Sequence, residues 1–316
     1  MHPLIGLAQL LIVGFVLYLL SLIVYTMWAI THPHRQTYAS ALARNLPGDP
    51  SELDHPLVFE ERRLDAPGGE IDLWDIRGSD PAGPVVIMTH GWGSSRQGAL
   101  KRIAPVIPHA SRVLVWDLPG HGDSGGHTRL GADEHHRCVR VAEGFCDPAT
   151  PIVLFGWSMG AGVSLAAAES LQDRFRLIGV VCEAPYLHPH VPAKNVIRLK
   201  GIPHRLNLRP AMAMLGTIFG VGPRWRGFDR ASIAARVRVP ILILHGTHDP
   251  VCPDADAHAI VDSAPDARFV SIEGGGHNNL WLDEGYREQA HDAVDAFMAA
   301  IARPARSPRN AAPARP

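Results

Sequence analysis

Three observations predict an α/β architecture built on a doubly wound, mostly parallel sheet. From residue 57 onward, short apolar runs alternate with longer segments of helical period. Runs such as Val-Val-Ile-Met, Val-Leu-Val-Trp and Ile-Leu-Ile-Leu are apolar on both faces, as strands covered by helices on each side must be. One such run leads through a Gly-x-Ser-x-Gly turn into a helix of small residues. The candidate strands are 57–64, 71–77, 85–89, 113–117, 152–155, 177–182, 241–245 and 267–272, and helices fit between them at 95–108, 133–146, 159–172, 254–264 and 283–302. The first two strand candidates alternate apolar and polar residues, which predicts half-exposed strands at a sheet edge.

The chain ahead of the sheet has a different character. From Leu4 to Ile30 there is no charged side chain, and 27 residues of helix span about 40 Å, enough to cross a bilayer core of about 30 Å with tilt. Residues 1–32 are therefore expected to be an uncleaved transmembrane anchor outside the globule. A cleavable signal peptide fits poorly: the apolar core far exceeds about 15 residues, and no Lys or Arg precedes it. Residues 33–56 hold Pro-flanked stretches and are expected to be a stalk; 57–303 are expected to form the globular domain, and the Pro/Ala/Arg-rich stretch 304–316 is expected to be a disordered tail. Arg35, Arg44, Arg62 and Arg63 follow the apolar run, so the positive-inside rule puts the domain on the cytoplasmic side of a single-pass protein.

Composition excludes several classes. With 316 residues, 46% hydrophobic, and 30 basic against 31 acidic side chains, the chain is neither a collagen, a coiled coil nor a disulfide scaffold, and its charge does not point to nucleic acid. Cys138, Cys146, Cys182 and Cys252 show no metal-ligand spacing and are expected to be free thiols. Asp133-Glu134-His135-His136 is no metal site, since adjacent helical residues do not share a face. No metal or cofactor is expected.

One stretch, about 186–239, has no convincing strand and is expected to be an insertion over the sheet. Between Lys194 and Arg238 it carries ten basic residues and one acid, Asp229. That charge fits a solvated face or attraction to an anionic membrane leaflet. Nucleic acid is disfavoured, because no binding motif or interleaved aromatics accompany it.

The chemistry gathers at Gly156-Trp157-Ser158-Met159-Gly160. The strand–turn–helix setting holds a serine in a strained conformation, and the flanking glycines remove the clash that larger residues would cause. A serine hydroxyl needs a base, and the base an orienting acid. In this arrangement both follow the serine, each in a loop after a later strand. Asp249, in His245-Gly246-Thr247-His248-Asp249-Pro250, and His277, in Gly274-Gly275-Gly276-His277, satisfy that order; Glu183 is the rival acid. His90-Gly91-Trp92-Gly93 follows strand 85–89, and the backbone N–H groups of Trp92 and Met159 are candidates for an oxyanion hole. Trp157, Met212, Met214 and Phe219 are candidate substrate-binding residues, the last three from the apolar middle of the insertion. His90, His121 and Asp123 are expected to fix loop shape.

Together with Asp117-Leu118-Pro119-Gly120-His121-Gly122-Asp123-Ser124, these motifs resemble the α/β-hydrolase superfamily over about residues 57–302. The resemblance implies an eight-stranded sheet with its second strand antiparallel, and a lid after the sixth strand where the insertion lies. With the anchor, it is similar to membrane-bound serine hydrolases of the lipase, esterase and thioesterase kind. It implies hydrolysis of a carboxylic ester or thioester with an apolar acyl group; the apolar N-terminal run and the basic insertion add expected contact with the membrane, and no nucleic-acid partner is expected. The alternatives are an aminopeptidase-like amide hydrolase on the same triad and a non-catalytic anchored scaffold.

Overall fold

The apolar runs become one eight-stranded sheet in the order β1-β2-β4-β3-β5-β6-β7-β8. Its strands are β1 Phe59–Leu64, β2 Ile71–Arg77, β3 Val85–Thr89, β4 Arg112–Trp116, β5 Ile152–Trp157, β6 Leu177–Glu183, β7 Ile241–Gly246 and β8 Ala267–Ile272. β2 runs antiparallel to both its neighbours, and every other pair is parallel. The computed structural model describes residues 3–302; the stretch 304–316, expected to be a disordered tail, lies outside the described residues.

Helices cover both faces. α3 (His135–Phe145), α4 (Met159–Leu171) and α8 (Asp254–Ser263) pack with one cluster of core residues, while α9 (Glu284–Ala302) packs with the other. The segment 95–108, expected to be a helix, is two 3-10 turns, Arg96–Arg102 and Ile107–His109. Pro105 and Pro108 interrupt a continuous helix there, because each lacks a backbone donor.

The expectation that β2 is a half-exposed edge strand is corrected. Its residues are almost all buried, with Ile71 and Leu73 in one core cluster and Trp74 and Ile76 in the other. The polar members of the alternation are satisfied from a distance. Asp72 pairs with Arg63 of β1 at 2.9 Å, and Asp75 pairs with Arg112 of β4 at 2.5 Å. The same expectation holds for β1, which is the exposed edge of the sheet.

Between β6 and β7 lie α5 (His190–Leu199), α6 (Leu208–Ile218), a 3-10 turn at Arg226–Phe228 and α7 (Arg230–Ala234), with no strand among the described residues. Not all of its basic residues form a solvated face. Arg230 is buried with its guanidinium 3.9 Å over the Phe228 ring, whereas Arg236 and Arg238 stay exposed while pairing with Glu169 at 2.5 Å and with Asp173.

The N-terminal helix α1 (Pro3–Thr31) is long and apolar enough to cross a membrane, and most of its large apolar side chains are exposed. The expectation that it lies wholly outside the globule is corrected at its foot. Ile23, Thr26 and Ile30 are buried against the domain, and α6 packs alongside. Asn207 Nδ2 donates to Thr26 Oγ1 at 2.5 Å, and the Trp92 indole donates to the Ile30 carbonyl at 2.8 Å. That carbonyl belongs to the last turn of α1, which has no intrahelical donor to satisfy it. The segment beyond is equally fixed: Arg35 donates to the carbonyls of Gly122 and Ser124, and Gln36 to that of Gly93. It continues through α2 (Tyr38–Leu42), where Ala41 is buried.

Deleting residues 3–56 should therefore lower the stability of the remaining domain by about 2–4 kcal/mol, from the lost burial of Ile30 and the unpaired Trp92 indole. Chemical denaturation of the two chains in the same detergent checks it.

Candidate active site

Ser158 sits between β5 and α4 at φ 54° and ψ −119°, outside the regions a non-glycine residue normally adopts. The conformation requires close backbone packing on both sides. A Cβ at Gly156 would collide with the Gly160 carbonyl, and one at Gly160 with the carbonyls of Thr89 and His90. A Cβ at Gly91 would come within 3.0 Å of the Ser158 Cβ. The glycines thus let β3, the loop after it and α4 close around the serine. The Ser158 N–H donates to the Glu183 carbonyl at 2.8 Å, which fixes the turn to β6.

Two later loops bring their side chains to the same point. His277 Nε2 lies 3.0 Å from Ser158 Oγ, and His277 Nδ1 lies 2.7 Å from Asp249 Oδ2. The other Asp249 oxygen accepts from the amides of Val251 and Cys252 at 2.7 and 2.8 Å. Burial alone would raise the Asp249 carboxyl, but the His277 contact and the two amides outweigh it and hold the group below the usual carboxylate range. An ionised Asp249 can accept a proton-bearing Nδ1, which leaves Nε2 free to face the serine.

The rival acid is engaged elsewhere. Glu183 receives Arg102 through two contacts, at 2.7 and 2.5 Å, and the Trp281 indole at 2.8 Å. Burial works to raise its pKa, yet the charge and hydrogen bonds of Arg102, with Trp281 and Lys101, hold it below the usual value. Arg102 also lies 4.3 Å over the Trp157 ring, so this ion pair braces the wall beside the serine.

The loop residues have structural partners. His90 accepts from the Leu118 amide at 2.9 Å and is buried beside His121; burial and that neighbour push its pKa well below the usual imidazole value. Asp117 accepts the amides of Arg96 and Asp123, and Asp123 pairs with Arg96 at 2.6 Å. Among the described residues, one group of possible metal donors converges: Asp249, Cys252 and His277, within 4.8 Å of one another. Two of the three are already hydrogen-bonded to each other.

Ser158 and His277 open into a cavity of about 680 Å³, within the range of ligand pockets. Trp92, Trp157 and Met159 line it. The other three expected substrate-binding residues do not. Met212 is fully buried, its carbonyl accepting from the Trp225 indole; Met214 faces outward; and Phe219 packs edge-on against Trp225. The insertion contributes to the cavity through α5 instead, with Pro192, Ala193, Val196 and Leu199. A second wall comes from the segment expected to be a stalk: Gln36, Ala41, Leu46 and Leu53. Nothing in its composition marks it as such, since its apolar residues are spaced by prolines and follow no helical or strand period.

Residues 86–296 match the model of the alpha/beta hydrolase family. Among curated relatives, the chain is 27% identical over 256 residues to a pimeloyl-[acyl-carrier protein] methyl ester esterase of Xanthomonas campestris pv. campestris, covering 69% of this chain and 96% of that protein. It is 25% identical over 257 residues to a putative monoglyceride lipase of Schizosaccharomyces pombe, covering 68% and 66%. An esterase structure from Pyrococcus furiosus superposes with a TM-score of 0.64 at 15% identity, covering 87% of this chain and 99% of that one. A membrane phospholipase A, described as a bacterial virulence factor, superposes with a TM-score of 0.58 at 18% identity, covering 94% and 98%. At these identities the superpositions establish the fold alone.

Replacing Glu183 by Gln should cost about 3–5 kcal/mol near neutral pH, because it leaves the buried Arg102 without its counter-charge. Glu183 is held below its unfolded value, so its contribution is present above that value and is lost as pH falls through the folded one. The gap between the wild type and the variant should narrow in acid, measured by urea denaturation at both conditions.

Proposed function

The chain belongs to the alpha/beta hydrolase family and is an ester-acting hydrolase, and from that premise we propose that Ser158, His277 and Asp249 are its catalytic triad and that its substrates are carboxylic esters or thioesters with an apolar acyl group. The observation that carries the reading is the chain of contacts from Asp249 through His277 to Ser158, at 2.7 and 3.0 Å, opening into a largely apolar cavity.

His277 Nε2 takes the proton of Ser158 as Oγ attacks the carbonyl, and Asp249 stabilises the imidazolium that forms. The oxyanion is held by the amides of Trp92 and Met159. Met159 is the first residue of α4, so its N–H has no acceptor within the helix and stands at the positive end of the helix dipole. Collapse expels the alcohol or thiol, which receives the proton from His277. Water, deprotonated by the same imidazole, then releases the acid and restores Ser158.

The apolar acyl preference is supported by the residues of α5 and of 41–53 that wall the cavity. The names of these relatives support the ester class, since a pimeloyl methyl ester and a monoglyceride are both carboxylic esters. An aminopeptidase would need a carboxylate to hold a substrate amine; among the described residues, no Asp or Glu lines the cavity. A scaffold would have no need of the triad contacts.

In the same reading α1 anchors the protein. Below its docked foot, residues 4–22 carry no charge and make about 28 Å of helix, close to the thickness of a bilayer core. The cavity then stands at the membrane surface, with the domain on the cytoplasmic side by the positive-inside rule.

The test is hydrolysis of p-nitrophenyl esters from acetyl to palmitoyl by the full chain in detergent. Ser158→Ala should abolish turnover, and Asp249→Asn should lower kcat by about 10^4-fold through the wrong histidine tautomer. Longer acyl chains should be preferred to acetyl. Turnover that survives Ser158→Ala would refute the assignment.

A further inference from the structure

The cavity is apolar in its walls and one-sided in its charge. Arg44, Lys101, Arg102 and Lys200 line it, and no Asp or Glu does among the described residues. Arg102 is neutralised by Glu183. The other three form no ion pair with any carboxylate among the described residues: Arg44 bonds to the Ser40 carbonyl and to Gln36, Lys101 to a backbone carbonyl, and Lys200 lies 4.6 Å over the Trp92 ring. These cations come from three separate parts of the chain: the segment after α1, the 3-10 turn after β3, and the end of α5.

Two of them flank the reacting centre. Lys101 Nζ donates at 3.2 Å to the carbonyl of Asn278, the residue after His277. Lys200 stands against Trp92, in the loop that borders Ser158. Lys101 is also half-buried, and burial, with Arg102 nearby, pushes its pKa down to about 8 against the pull of Glu183. An ammonium desolvated without a counter-ion is unfavourable, and an anion entering beside it would relieve that strain on the charge.

We propose that this cavity selects esters that carry a negatively charged oxyacid group, a phosphate or a carboxylate, and that Lys101 with Lys200 at the rim is the site that binds it. The inference rests on the ester-hydrolase reading of Ser158 and names the substrate class within it. Such substrates are amphiphiles. The apolar acyl part lies along α5 and residues 41–53, and the anion meets the cations beside the ester.

The experiment uses the full chain in detergent and two matched pairs of esters. One pair differs on the alcohol side: a monoacylglycerol and the corresponding acylglycerol 3-phosphate. The other differs on the acyl side: p-nitrophenyl octanoate and the p-nitrophenyl monoester of octanedioic acid. The quantity read is the ratio of kcat/KM, anionic over neutral, within each pair and each variant. In the wild type at least one ratio should exceed unity by roughly ten- to a hundredfold, the range of a charge-assisted hydrogen bond. Lys101→Met should return that ratio toward one, Lys200→Gln should lower it part of the way, and Lys101→Arg should retain it. The pair that responds identifies whether the charge sits on the alcohol or on the acyl chain. Ratios near one in both pairs, with turnover that still depends on Ser158, would overturn the charge selection and leave the hydrolase reading standing. Absence of any Ser158-dependent turnover with all four esters would overturn both.

Discussion

Ser158 holds a backbone conformation that an L-residue adopts only under constraint, and the arrangement around it follows from that constraint. The left-handed φ of 54° turns the end of β5 sharply into α4. It places Ser158 directly ahead of the first amides of α4, where the proposed oxyanion site lies. The turn closes only because Gly156, Gly160 and Gly91 present no side chains to Thr89, His90 and Ser158 itself. Strain of this kind costs about 1–3 kcal/mol. The central strands β3 and β5, buried on every residue, supply the rigid frame that holds it.

The second determinant lies outside the sheet. The N-terminal segment is both a candidate anchor and a wall of the cavity, and the joint between the two roles is the Trp92 indole on the Ile30 carbonyl. Trp92 therefore connects three things: the foot of α1 through its side chain, the proposed oxyanion site through its backbone, and Lys200 through its ring. The Gln36 bond to the Gly93 carbonyl ties the following segment to the same loop. In the proposed reading, the Trp92 joint would hold the anchoring helix and the reacting carbonyl in one frame.

Much of this was legible in the amino-acid sequence, because the residues involved carry local signals. Strands apolar on both faces announce a covered parallel sheet, and Ile241–Gly246 or Val85–Thr89 admits no other reading at that length. The order of serine, aspartate and histidine, each after its strand, singled out Asp249 and His277 among many candidates. What escaped was set by partners far away in the chain. β2 looked half-exposed because Asp72 and Asp75 alternate with its apolar residues, and only Arg63 and Arg112 make those positions tolerable inside. Residues 186–239 hold no strand among the described residues, as their sequence predicts, but composition cannot say which helix face meets a cavity. Met212 and Phe219 went to the core and Met214 to the surface, while the quieter α5 took the wall. The segment 33–56 gave no periodic signal at all, since its contacts with Gly93, Gly122 and Ser124 belong to loops.

The central claim is that Ser158 is a nucleophile activated by His277. A fluorophosphonate probe reacts with such a serine and with little else on a folded chain, so labelling of the full protein followed by peptide mass spectrometry tests it most directly. The account predicts one adduct, on Ser158, that is lost in His277→Ala although the protein remains folded. An adduct on another residue, or equal labelling of Ser158 without His277, would contradict it.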